Sequence, residues 1–232
     1  MEHWVDEDRN TAPQKDQWRN IAMRLIVYVF GLFVLTFGTT LSINTRLGLS
    51  AGNSFPYVFS QVLNISFGAG LIVIYLFYVF LQWVMLRREF GIKHLLQIPV
   101  SLMYGRFANF WVWVIGDFIP ESYGGRLVML FISIFFVALG VVIYVAPNIL
   151  VNPVEGLTVA LAYCLNWPFH KGKSFTDCAA VFIAITLCII FLGELTGIRE
   201  GTVLSALLTG TGVKYISRVI QPGLFRLCGM KK

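Results

Sequence analysis

The sequence predicts an all-α membrane protein: six transmembrane helices in a 3+3 inverted-topology repeat, with a short half-helix after the first span of each repeat. Composition, the recurrence of long apolar stretches and an internal similarity carry that prediction. Of 232 residues, 57% are hydrophobic, 15% aromatic and only 13% charged, a balance foreign to soluble domains. Apolar stretches of roughly 17 to 25 residues recur, the length that crosses about 30 Å of hydrocarbon. The predicted surroundings are therefore a lipid bilayer. The third observation is a self-similarity at a shift of 102 residues, which pairs Gly38 with Gly140 and Asn53 with Glu155.

The first twenty residues are polar and acid-rich and lack a positive leader into a short apolar core, so no signal peptide is expected. Span 1 runs from about Ile21 to Asn44. Its glycines Gly31 and Gly38 are seven apart, nearly on one face, and suit close helix contact. A polar stretch from Thr45 follows, then an apolar segment too short to span, read as a half-helix over 54–64 opened by Pro56. Span 2 covers about Gly68 to Leu86 and stops at Arg87 and Arg88. Span 3, from about Leu95 to Ile115, carries Pro99, Gly105 and Arg106.

Span 4, from about Leu127 to Val145, gives way to the irregular run Ala146 to Gly156 and a second half-helix over 157–166. Spans 5 and 6 run from about Thr176 to Leu192 and from about Gly201 to Ile220, with Thr176 and Asp177 read as a cap. The predicted organisation is a polar cytoplasmic tail (1–20), repeat 1 (21–119), repeat 2 (120–221) and a basic cytoplasmic tail (222–232). Three spans per half make the second half enter from the opposite side, an arrangement shared by many transporter folds.

Orientation follows from the bases. With both termini cytoplasmic, fourteen of the eighteen lysines and arginines fall inside, only Arg46, Arg126 and Arg199 fall outside, and Arg106 alone lies within a span. The net charge of +6 thus reports topology and not a nucleic-acid partner. Cys164, Cys178, Cys188 and Cys228 show no metal-ligand spacing and read as packing thiols. The three histidines are scattered, and no nucleophile triad or phosphate-binding loop occurs, so neither an enzyme nor a bound cofactor is expected.

Six residues are candidates for binding solute: Arg106, Asn109, Glu155, Asn53, Asn152 and Lys214. Arg106 sits about twelve residues into span 3, roughly 18 Å along it at the helical rise. A guanidinium there costs at least about 2.5 kcal/mol on insertion scales and demands a partner or a cavity. It reads either as a clamp for an anionic solute or as a structural ion pair. Glu155, in the turn Asn152-Pro153-Val154-Glu155-Gly156, is a proton-coupled carboxylate, the partner of Arg106, or a charge favouring the half-helix dipole. Asn53, Asn109 and Asn152 suit ligand contact or the capping of freed backbone. Lys214 either snorkels or points into the bundle.

The Leu47-Gly48 stretch, the QIPVSLMYG run into span 3, Pro153 to Gly156, Lys173 with Asp177, and Arg199-Glu200-Gly201-Thr202 followed by Gly210 and Lys214 resemble the YczE/YyaS/YitT family of bacterial membrane proteins. The resemblance spans residues 21 to 220 and implies a multi-pass protein of the bacterial inner membrane and a vitamin-like or amino-acid-like solute. It also implies an acidic residue near Asn109 paired with Lys214. This chain has an amide there and adds Arg106. The expected function is a secondary transporter or facilitator for a small anionic organic solute. The alternative is a non-transporting membrane subunit that positions a partner protein, and a homo-oligomer is compatible with either.

Overall fold

The computed structural model describes residues 14–229, and all regular structure among them is helical. The acid-rich residues 1–13 and the final lysines Lys231 and Lys232 lie outside the described residues. The helices are α1 (Gln14–Thr45), α2 (Ala51–Val62), α3 (Phe67–Leu86), a single turn α4 (Ile92–Leu95), α5 (Gln97–Ile115), α6 (Tyr123–Val145), α7 (Pro153–Cys164), α8 (Phe169–Leu187) and α9 (Glu200–Leu227). Along α1, α3 with the turn that follows it, α6, and α8 with its extension lie four stretches long and apolar enough to cross a membrane: Asn20–Thr45, Phe67–Glu89, Tyr123–Val145 and Phe169–Leu192. Large apolar side chains such as Phe30, Phe80, Phe131 and Phe182 stand exposed on their outer faces. A multi-pass membrane architecture follows, since lipid supplies the contacts that water could not.

α5 and α9 are less apolar, carrying Gln97, Arg106 and Asn109 in one and Glu200, Lys214 and Arg218 in the other. α5 packs between α3 and α1, whereas α9 lies chiefly along α6 and leaves Val203, Leu207, Tyr215 and Val219 exposed. Arg24 Nε donates to the Cys228 carbonyl at 3.2 Å, so the start of α1 and the end of α9 share one end of the bundle. At the other end Gly201 N–H donates to the Leu47 carbonyl at 2.8 Å and Leu49 N–H to Gly197 at 3.0 Å.

Both short helices begin earlier than their sequences suggest. In α2 the Ser50 carbonyl accepts from Asn53 and Ser54 N–H at 2.9 and 3.0 Å, starting the helix before Pro56, which is carried inside it. In α7 Pro153 occupies the first turn, where its missing N–H is no loss. The fifth long helix also starts early. Pro168, with extended backbone, precedes Phe169, so Thr176 and Asp177 lie inside α8 and are not its cap.

The backbone recurs at the 102-residue offset. α2 and α7 each have 12 residues, and α3 and α8 begin 102 apart. Ser50 and Asn152 share φ/ψ near −60°/148°, and positive φ recurs at Arg46 and Asn148 (53° and 50°) and at Asn64 and Asn166 (52° and 51°). Each short helix packs against both α3 and α8. The main seam is α1 on α6, where Gly31 meets the Tyr144 backbone, Gly38 faces Val137 and Gly140 faces Leu35.

Candidate functional site

Polar side chains gather where α1, α2, α3, α5 and α7 converge. Asn53 of α2 donates through Nδ2 to Ser50 Oγ at 3.1 Å and to Thr39 Oγ1 of α1 at 3.5 Å. Its Oδ1 accepts from the Tyr75 hydroxyl of α3 at 3.3 Å. Thr39 Oγ1 in turn lies 3.4 Å from the Tyr104 hydroxyl of α5, and the Tyr75 and Tyr104 rings are 5.4 Å apart. All four side chains are buried, so the cluster is a satisfied hydrogen-bond network in an apolar setting, where such a network is rigid.

Glu155 on α7 faces the same interior. Its Oε2 is buried and has no hydrogen-bond partner. Tyr28 of α1, Tyr75 of α3, Tyr104 of α5 and Tyr144 of α6 all lie within reach of its charge. The Tyr28 hydroxyl is likewise buried without a partner, and its ring meets Tyr144 edge-on at 6.0 Å. Beside α7, Lys173 of α8 donates to Asp177 at 2.8 Å, one helical turn along, and both also sense Glu155. The Lys173 and Asp177 side chains are 32% and 28% exposed, so the pair forms a half-buried edge to the site.

The start of α7 is held from behind. Gln82 of α3 and Gln97 of α5, both buried, exchange amide hydrogen bonds at 3.0 and 3.1 Å, and Gln82 Nε2 also donates to the Pro153 carbonyl at 3.3 Å. A Cβ on Gly156 would stand 2.8 Å from Gln82 Oε1 and from Gln97 Nε2, so any larger residue there would have to displace this amide pair. Asn152 caps the same helix, accepting from Val154 N–H at 3.3 Å.

Of the six residues singled out in the sequence, the structure brings together Asn53, Asn152 and Glu155. Asn109, half-buried on α5, instead accepts from Gly68 N–H at 2.9 Å and ties down the start of α3. Arg106 is exposed on the outward face of α5, and Lys214 is exposed on α9. Neither reaches Glu155. The four tyrosines and the Gln82–Gln97 pair escape sequence reading, because a tyrosine in an apolar helix looks the same facing lipid or core. A glutamine in each of two apolar spans, and the i, i+4 spacing of Lys173 and Asp177, are the signals that point to the remainder.

The family model described as "Family of unknown function (DUF6198)" matches residues 22–218. No curated protein matches the chain, and no solved structure does.

Proposed function

We propose, for a chain that belongs to the family of unknown function DUF6198, that it is a secondary transporter or facilitator for a small organic solute, with its site around Glu155. One observation carries this reading: a buried, unpartnered carboxylate oxygen whose charge reaches four buried tyrosines, at the start of a short helix packed between two long ones. A purely structural core has no use for an orphan carboxylate, which is expensive in a low-dielectric interior. Broken helices beside a polar midplane site are how many transporters are built.

In this reading α5 and α9 are the third and sixth spans, and the 102-residue recurrence reflects two halves of inverted topology in a bacterial inner membrane, with both termini cytoplasmic. The shared end of α1 and α9 supports an even number of crossings. The preference for an anionic solute rests on Arg106, which faces outward, while the interior charges are Glu155, Lys173 and Asp177. The solute panel therefore spans vitamins, amino acids, organic anions and amines. Purified protein in proteoliposomes is expected to take up at least one of them, with uptake lost in Glu155→Gln and kept in Arg106→Gln. Absence of both uptake and ligand-induced thermal shift across the panel removes the reading.

A second reading, a membrane subunit that positions a partner protein, is favoured by Arg106 itself. An outward guanidinium in the middle of α5 requires a counter-charge, and a partner helix with an acidic residue supplies one. Under that reading Arg106→Leu raises the thermal stability of the isolated protein, by relieving an uncompensated charge. An unchanged or lowered melting temperature counts against it.

A further inference from the structure

Counting charge around α7 leaves one elementary charge unbalanced. Glu155 and Asp177 are two carboxylates, and Lys173 is the one cation within their reach among the described residues. Asp177 takes the direct ion pair, at 2.8 Å, and its side chain is 28% exposed at the edge of the site. Glu155 keeps a buried oxygen with no partner. From the other elements the groups within reach of its charge are Tyr28 (α1), Tyr75 (α3), Tyr104 (α5) and Tyr144 (α6), with Tyr78 of α3 within reach of Asp177. No histidine or arginine is among them.

The first half of the chain shows what this register holds when it is neutral. At an offset of 102, Glu155 and Asp177 correspond to Asn53 and Tyr75, which are joined by a hydrogen bond of 3.3 Å. The same backbone geometry is thus filled by an uncharged amide and phenol, and a protonated Glu155 matches that pattern in charge and in hydrogen-bonding capacity. The ligand that makes it so is a proton. The four tyrosines are at most 3% exposed. A metal ion would need a shell of oxygens, whereas a proton needs none.

We propose that Glu155 is a proton-binding site. One proton adds to Oε2 to give the neutral acid, while the Lys173–Asp177 pair stays intact as the charged edge of the site. This deepens the transport reading and rests on it for its role, with the proton as the coupling ion. Proton binding itself does not depend on that reading.

Full-length protein in nanodiscs of phosphatidylethanolamine and phosphatidylglycerol, followed by pH-difference infrared spectroscopy, tests the site. A protonated-carboxyl stretching band is expected to titrate in the wild type, to vanish in Glu155→Gln and to persist in Asp177→Asn. Should Glu155→Gln fail to fold, Glu155→Asp serves, and its band is expected at a changed frequency and midpoint. A band unchanged by either Glu155 variant, one lost in Asp177→Asn, or a titration abolished by sodium at constant pH overturns the proposal. A titrating Glu155 band without uptake of any solute would leave the proton site standing and remove transport, and uptake without the band would do the reverse.

Discussion

Gly140→Leu is expected to prevent recovery of folded, monodisperse protein. A Cβ at Gly140 would lie 2.5 Å from both the Cα and the N of Leu35, and across the same seam a Cβ at Gly38 would lie 2.6 Å from the Val137 nitrogen. These obstacles are backbone atoms of a neighbouring helix. No rotamer change removes them, so the whole of α1 must shift away from α6. Overpacking a well-filled core costs about 1–3 kcal/mol, and separating the main seam of the bundle adds the loss of close backbone packing along it. Gly124→Leu is the control, because nothing lies within 4 Å of a Cβ there. Size-exclusion profile and thermal unfolding in detergent are the measurements. If Gly140→Leu behaves like Gly124→Leu, the glycine seam does not hold the bundle together.

The amide pair behind α7 should show the second large effect. Replacing Gln82 by leucine deletes both reciprocal bonds and the one to the Pro153 carbonyl, stranding the Gln97 amide where water does not reach. A buried polar group left unsatisfied costs about 1–3 kcal/mol, whereas replacing both partners by apolar groups of similar shape is nearly neutral. Gln82→Leu and Gln97→Leu should therefore each destabilise by that amount, and the double variant should recover most of it. The coupling energy, expected at about 0.5–3 kcal/mol for groups in one network, is read from a double-mutant cycle in denaturant. Strict additivity would show that the pair is not one unit. The same variants loosen the seat of Gly156, one residue from Glu155, so Glu155-dependent uptake should fall in the single variants even where the protein remains folded.

Particular residues show how far the sequence could be read. The offset of 102 residues was visible because Gly38 and Gly140 are both glycines and Asn53 and Glu155 both polar, and the backbone turns at Arg46 and Asn148 and at Asn64 and Asn166 recur at that offset. Ser50 and Pro168 open their helices although Pro56 and Asp177 carry the stronger local signals in the sequence, because the backbone bonding overrides those signals. Arg106 stands out in the sequence as a charge in an apolar span. Its helix phase relative to its neighbours, and hence whether it faced lipid or core, depends on which side of α5 meets α3 and α1. The buried side is set by Gly105, whose Cβ would stand 2.5 Å from the Gly68 carbonyl.

What the sequence by itself determined was the solvent and the punctuation. Apolar length, basic ends, Gly and Pro breaks and the 102-residue shift are local or periodic properties, and they act before any helix finds a neighbour. Which polar groups meet was decided only by tertiary structure. Glu155, Tyr28, Tyr75, Tyr104 and Tyr144 come from five helices spread over more than half the chain. Their convergence depends on the close α1–α6 contact and on the seat that Gly156 finds against Gln82 and Gln97. In a bilayer an apolar face is at home against lipid or protein alike, so hydrophobic pattern alone does not orient a helix. Close packing and the satisfaction of buried polar groups do.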